Sequence, residues 1–450
     1  METINFEALL DLLEKGDFSN LKKQMSEMNV VDIAEFLESL DSQKLVRVFR
    51  ILPKDISADV FSYLETDDQT DIVSSITDSE LGSLVGDLFL DDAVDFLEEV
   101  PANVVTRVLA NTDPKTRQMI NTFLQYPENS AGSLMTNEMV ELHDSLTVAQ
   151  AIARIRSTGL DKETIYSCYC IDSSRHLIGT VSLSDLIFNN DASVIHDIMD
   201  ASDHIICVNT MDDQEDVADI AKKYDLLSIP VVDNENRLVG IITIDDIVDI
   251  IEEENTEDFE KMALLNPSDD EYLKTPVYKL VRNRIFWLLI LMISATITSQ
   301  IIEGFENTLA LVAGLTASIP MLMGTGGNAA NQTSTLTIRG MALGEMKLKD
   351  YPKILFKEIR VGLICGLILA VVNYGRMWLL GSLGGPSVYL VTGMAMFFAI
   401  VVAKAIGCTL PMVAKILKLD PALMAGPMIS TMVDALTLLI YFSLAKAFLM

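Results

Sequence analysis

The chain has 450 residues, with 33 Lys and Arg against 64 Asp and Glu, a formal net charge of −31, yet half of it is hydrophobic. Residues 279–450 hold 14 basic and 7 acidic side chains, whereas residues 1–278 hold 19 basic and 57 acidic ones, a net of −38. An acidic soluble part therefore precedes an apolar part, and nucleic-acid binding is excluded, because a surface of that sign repels phosphates.

Cations, divalent ones above all, are the natural partners of such a surface. Cys168, Cys170, Cys207, Cys365 and Cys408 form no CxxC pair and are odd in number, as expected of reduced thiols inside a cell. The first 16 residues carry Glu7 and Asp11 and no basic n-region, so no cleaved signal is expected and the soluble part stays on the cytoplasmic side.

Residues 1–130 read as short amphipathic helices: VVDIAEFLESL from Val30, ISADVFSYLE from Ile56 and DDAVDFLEEV from Asp91, punctuated by Pro53, Pro101 and Pro114. Repeated short helices without strand patterns predict an α-helical superhelix, normally a scaffold or interaction surface.

Residues 137–256 contain a duplication. YCIDSSRHLIGTVSLSDLI from Tyr169 matches PVVDNENRLVGIITIDDIV from Pro230 at a constant offset of 61, pairing Gly179 with Gly240 and Asp185 with Asp246. Each copy reads as strand, polar turn, strand, helix. The pair resembles cystathionine-beta-synthase (CBS) domains, whose repeats end in Gly, Ser/Thr and Asp, here Gly179, Ser182, Asp185 and Gly240, Thr243, Asp246. That resemblance implies adenine-nucleotide binding at Asp185, Thr243 and Asp246, with ATP as a modulator.

The densest carboxylate run, DDIVDIIEEENTEDFE from Asp245, places Asp246, Asp249, Glu253, Glu254, Glu257 and Asp258 on about four turns of helix. Like charges at this spacing destabilise a free helix. One reading is a solvated acidic face. The other is cation binding, favoured by the further clusters Asp91, Asp92, Asp95 and Asp212, Asp213, Glu215, whose hard oxygens suit Mg²⁺, Ca²⁺ or Mn²⁺ and not zinc. His143, His176, His196 and His204 show no metal-protease spacing and read as surface or core residues.

Five apolar stretches follow. Ile285 to Ile302 is 18 residues without a charge, and similar runs cover Leu309 to Ile338, Ile359 to Leu380, Tyr389 to Leu417 and Ala422 to Met450, which predict five transmembrane helices. Basic residues alternate between connections: Lys279, Arg282 and Arg284 precede the first span, and Arg339 to Arg360 and Lys415 with Lys418 lie in the second and fourth connections. The N-terminus is therefore inside and the C-terminus outside, with Arg376 as the exception.

Asp434 lies midway along the last stretch, where an isolated carboxylate costs ~2.5–3.5 kcal/mol, and shares a helix face with Gly426 and Ser430. It reads as an ion-handling group, or else as a structural carboxyl paired with Lys404 or another helix. Pro427 is expected to free backbone carbonyls beside it. In the second span Gly324, Gly327, Asn331 and Thr335 form a matching stripe, either helix-packing glue or part of a hydrated pore.

This order of parts resembles the MgtE-type magnesium transporters, on YPENSAGSLMT at Tyr126, EEENTEDFEKM at Glu252, GTGGNAANQTSTLTIRGMALGE at Gly324 and GPMISTMVDALTLLIYFSLA at Gly426. The resemblance implies a multidomain membrane protein: an all-α superhelical domain over 1–131, an α/β CBS pair over 132–199 and 200–254, a connecting plug helix and linker over 255–278, and an all-α five-helix transmembrane domain over 279–450. It implies a homodimeric Mg²⁺ channel of the cell membrane, not an enzyme, with Asp434 as pore carboxylate and Gly324, Gly327, Asn331 and Thr335, with Ser430, lining the path. It further implies regulatory magnesium positions at Asp91, Asp95, Asp213, Glu215, Asp225, Asp246, Asp249, Glu254, Glu257, Asp258 and Asp420, through which cytosolic Mg²⁺, pressing the helix at Glu252 to Leu273 onto the pore, closes the channel. A CBS module sensing adenine nucleotide and controlling a transporter of another divalent cation or solute is the alternative.

Overall fold

The fold is that of a computed structural model, which describes residues 6–159, 162–200, 205–268, 272–273, 275–312 and 314–450, with the side chains at 55, 307 and 311 excepted. His204 lies outside the described residues. The chain divides into two compact units, Met1–Ile251 and Glu252–Met450.

The first unit begins with ten short helices: α1 (Phe6–Glu14), α2 (Phe18–Met25), α3 (Val30–Glu38), α4 (Ser42–Phe49), α5 (Lys54–Ser62), α6 (Thr66–Ser75), α7 (Asp78–Asp87), α8 (Leu90–Glu99), α9 (Ala102–Asn111) and α10 (Pro114–Phe123). Each expected helix is present. Pro53 and Pro101 are the N-caps of α5 and α9, and Pro114 opens α10, where a missing N–H costs nothing. Helices two apart pack together, α3 on α5, α4 on α6 and α7 on α9, which winds the chain into the expected superhelix.

After α11 (Ala131–Leu134) come two copies of one sheet. The first holds β1 (Val140–His143), β2 (Ser167–Ile171) and β3 (Leu177–Ser182), with helices α12 (Val148–Thr158), α13 (Leu183–Phe188) and α14 (Ile195–Ile198). The second holds β4 (Val208–Asn209), β5 (Ser228–Val232) and β6 (Leu238–Thr243), with α15 (Gln214–Tyr224) and α16 (Ile244–Met262). In each, the first strand runs parallel to the second and the second antiparallel to the third. The offset of 61 carries the β2 and β3 boundaries onto β5 and β6, and the register shift at Cys170/Ile171 onto the one at Val231/Val232. Tyr169, Ile171 and Leu177 of one sheet pack with Val232, Leu238 and Ile241 of the other, and Tyr169 Oη lies 2.6 Å from Ser228 Oγ. The superhelix shares its core with the second sheet, through Val208, Ile229, Val231 and Ile242.

The second unit contains the end of α16, then α17 (Val277–Gly304), α18 (Glu306–Leu311), α19 (Leu315–Ala342), α20 (Tyr351–Leu379), α21 (Gly385–Ile416) and α22 (Gly426–Leu449). Helix α21 packs on α19, α20 and α22, while α17 packs on α22. The five apolar stretches are thus five helices of 24 to 32 residues. Among the described residues, three segments are long and apolar enough to cross a membrane by length and composition: Val277–Gly304, Gly385–Ile416 and Pro421–Leu449. Helices α19 and α20 have the length but carry Asn, Thr and Gly, or charges near both ends.

Two expectations change. The helix expected from Glu252 to Leu273 is the end of α16 and stops at Met262. Leu264 takes the left-handed conformation, φ 56°, and the Leu265 N–H donates to the Glu260 carbonyl at 2.9 Å, a Schellman closure without glycine. Pro427 stands in the first turn of α22, not within it, so it frees no carbonyl beside Asp434. The five cysteines are free.

Candidate functional site

In the second unit, α19 and α22 meet along a polar seam. The Asn331 Nδ2 donates to Ser430 Oγ at 3.0 Å, and the Ser430 hydroxyl donates to the Gly426 carbonyl at 3.1 Å, the bond to the carbonyl four residues back expected of a helical serine. A Cβ on Gly327 would stand 3.3 Å from Ser430 Oγ and 3.7 Å from Asp434 Oδ1, so the missing side chain lets the two helices close on these oxygens. Gly327, Asn331, Ser430 and Asp434 are therefore brought together. Asn331 Oδ1 is buried and, among the described residues, has no hydrogen-bond partner.

The rest of the stripe divides. Gly324 has nothing within 4 Å of its Cβ direction, and Thr335 is exposed on a cavity of about 690 Å³ lined also by Asn328, Asn331, Gln332 and Lys404. Lys404 is 6% exposed and donates to Gln332 Oε1 at 3.4 Å; among the described residues it forms no ion pair with Asp434. The structural reading of Asp434 as a lysine-locked carboxyl is not realised. A second carboxylate, Glu358 of α20, accepts the Thr333 hydroxyl at 2.9 Å. Sequence reasoning missed it because it sits within a basic connection.

The carboxylates around α8 form the other site. Asp91 and Asp92 occupy the first turn of α8, where the helix dipole favours anions, and Asp95 lies one turn on. Asp91 is only 9% exposed and its carboxyl is pushed well above the usual range, by burial first and then by Asp92 and Asp246. Burial raises Asp92 to about 7, with Asp246 adding to it, and Asp95 to about 7, with Asp92 adding. Asp246 is raised by burial, while its bond from the Thr243 hydroxyl, at 2.7 Å, opposes the shift. Glu163, from the loop before β2, is raised to about 7 by burial and by Asp245, and its Oε2 is buried and, among the described residues, unpartnered. No spacing in the sequence connects Glu163 to Asp92 or Asp246, so this member was not anticipated. The donor set is all oxygen, crowded and under-satisfied, which fits a hard divalent cation, although among the described residues no three Asp, Glu, His or Cys side chains converge as a ready-made ligand set.

The remaining predicted regulatory residues are dispersed. Asp213 caps α15 by accepting the Glu215 N–H at 3.0 Å, and Asp225 closes the far end of that helix with φ 52°. At 1.5 Å rise per residue the two ends are about 18 Å apart, too far to share an ion. Asp249 stands on the exposed face of α16, whereas Glu254 is half-buried and continues the line of Ile247 and Ile250. Near the end of α16, Glu257 and Asp420 both pair with Lys261, at 2.7 and 2.8 Å, and Asp258 is raised to about 6 by burial and then by Asp420.

The first Ser/Thr-x-x-Asp motif is a reciprocal helix cap. Asp185 Oδ2 accepts the Ser182 hydroxyl at 2.6 Å while Ser182 Oγ accepts the Asp185 N–H at 3.0 Å; Thr243 and Asp246 repeat the contact between hydroxyl and carboxylate. Asp185 is exposed, whereas Asp246 faces the acidic cluster.

A duplicated sensor-type sheet beside a carboxylate cluster, followed by a polar seam inside long apolar helices, defines a membrane ion-transport protein with an attached regulatory module. The model of the MgtE divalent cation transporter matches residues 319–444, the MgtE intracellular N domain 28–129, and the CBS domain 131–189 and 195–253. Magnesium transporter MgtE of Thermus thermophilus is 34% identical over 446 residues, 98% of each chain, and that of Bacillus subtilis 30% over 445 residues, 98% of this chain and 96% of its own. The solved cytosolic domain of the Mg²⁺ channel MgtE in complex with ATP is 33% identical, with a TM-score of 0.52, and covers 54% of this chain and 99% of that one. The chain belongs to the MgtE family of divalent cation transporters.

Proposed function

We propose that this protein carries Mg²⁺ across the cytoplasmic membrane and is closed by Mg²⁺ on its cytosolic side. The observation that carries the reading is the seam of Gly327, Asn331, Ser430 and Asp434 between α19 and α22. A carboxylate beside neutral amide and hydroxyl oxygens suits an ion that surrenders its waters reluctantly: Asp434 supplies charge, while Asn331, with its free Oδ1, and Thr335 accept hydrogen bonds from the hydration shell without holding the ion too tightly to leave. Gly324 extends the path where no side chain intrudes.

We take the helical region as five spans, with the N-terminus cytosolic and the C-terminus outside, and the working unit as a homodimer that contributes two copies of Asp434. The outward-facing apolar residues of α17 and α20, Phe286, Leu289 and Ile293 and Ile364, Ile368 and Val371, support contact with lipid. The five-part domain division given by the sequence is retained on the same footing. The activity is transport, with no catalytic step.

Regulation rests on the carboxylates. Asp91, Asp92, Asp95, Asp246 and Glu163 would hold a divalent cation in the first unit, and Glu254, Glu257, Asp258 and Asp420 in the second, with Asp213, Glu215, Asp225 and Asp249 as outlying positions. A bound cation offsets the mutual repulsion of these groups. Helix α16 carries Asp246 in its first turn and Glu257, Asp258 and Lys261 near its last, so it contributes residues to both carboxylate groups. ATP is assigned to the Asp185 copy of the repeat, because the carboxylates around Asp246 repel a polyphosphate.

The test is ion-resolved flux into vesicles containing the purified protein, comparing Mg²⁺, Ca²⁺, Mn²⁺ and Co²⁺. Mg²⁺ entry that slows as lumenal Mg²⁺ on the cytosolic face rises is expected; no Mg²⁺ entry, or entry indifferent to it, overturns the reading.

A further inference from the structure

We propose that a second, cationic pocket in the first unit binds the phosphate chain of a small polyphosphate anion, at a place distinct from both Ser/Thr-x-x-Asp motifs. A cavity of about 500 Å³ lies among α10, α12, β1 and the turn between β2 and β3; neither Asp185 nor Asp246 lines it. Lys115, Arg154, Lys162 and Arg175 reach it from four separate segments, against two carboxylates, Glu138 and Glu141. Arg175 is committed to Glu141. Among the described residues Lys115, Arg154 and Lys162 form no ion pair, although the first 278 residues hold three acidic side chains for every basic one. Three uncommitted cations converging on one concavity of a strongly acidic unit are a local reversal of its field, and Lys with Arg is the donor set that phosphates select. The volume admits a small ligand and not a macromolecule.

The phosphate chain could be free or part of a nucleotide, and the experiment separates the two. Sodium tripolyphosphate is titrated calorimetrically into the full-length protein in metal-free buffer. Saturable binding is expected, weakened at least tenfold in Arg154→Ala/Lys162→Ala and unchanged in Asp185→Ala. Displacement by ATP in the Asp185→Ala background identifies a nucleotide, and failure to displace identifies free polyphosphate. Equal affinity in wild type and the double variant, loss in Asp185→Ala alone, or no saturable binding overturns the proposal. As a readout that needs no variant, tripolyphosphate should slow acetylation of Lys115 and Lys162 several-fold but not that of exposed Lys54; equal rates at all three overturn it.

Discussion

Lys261, in the last turn of α16, lies 2.8 Å from Asp420 in the loop that leads into α22, and the same ammonium reaches Glu257 at 2.7 Å. Burial disfavours its charge, but the bonds to Asp420 and Glu257 outweigh that and raise its pKa. A fixed cation thus stands where a regulatory divalent ion is proposed to act. Replacing it, in Lys261→Met, leaves Glu257, Asp258 and Asp420 to repel one another until a divalent ion takes its place. The variant should need about three- to tenfold less Mg²⁺ for half-maximal protection of the segment after Met262 from proteolysis, an effect of roughly 1 kcal/mol. An unchanged midpoint means that Lys261 and Mg²⁺ do not compete.

Asp434→Asn keeps the shape of the seam and removes its charge. Mg²⁺ flux should fall by about a hundredfold, ~2.7 kcal/mol in barrier. Thermal stability in detergent should hold or rise, because a carboxylate within an apolar helix is itself unfavourable. Wild-type flux from the variant removes Asp434 from the path.

Asp92, Asp95 and Glu163 each titrate near pH 7 because burial disfavours their charged forms, with Asp246, Asp92 and Asp245 respectively adding to the shift. Their unfolded values lie near 4, so between pH 4 and 7 the folded state binds more protons and stability falls as pH rises. In metal-free buffer the melting temperature of the first unit should be higher at pH 6 than at pH 8. Added Mg²⁺ should restore more at pH 8, where the carboxylates are ionised; a gain independent of pH separates Mg²⁺ from this cluster.

How far the sequence reached depended on whether a feature was periodic. The offset of 61 carries β2 and β3 onto β5 and β6 to the residue, because each repeat keeps one strand-turn-strand length. It failed for α12 and α15, whose starts differ by 66, since the loops before β2 and β5 differ in length. Asp434 stood out as a lone charge in an apolar run, and Gly327, Asn331 and Ser430 by helical spacing. Glu163 joins the acidic cluster from a loop with no periodic relation to α8, and Glu358 was hidden by basic neighbours. The end of α16 carries no glycine, so its closure at Leu264 shows in the sequence only through Pro267, which a continuous helix from Glu252 to Leu273 does not accommodate.

Gly426 tests whether the acidic helix and the start of α22 act together. Its φ is +53°, and a Cβ there would meet the Met262 carbonyl oxygen of α16 at 2.4 Å. An L side chain is penalised by the backbone conformation, ~1–2 kcal/mol, and again by the need to push α16 away. Gly426→Ala should therefore destabilise the second unit by about 2–4 kcal/mol and weaken the Mg²⁺ dependence of flux by separating the end of α16 from the helix that carries Asp434. Gly375→Ala, in α20, is the matched control: nothing lies within 4 Å, and alanine in a helix interior is favoured over glycine by ~1 kcal/mol. If both variants kept the stability and Mg²⁺ response of the wild type, the contact between Met262 and Gly426 would play no part in closing the path.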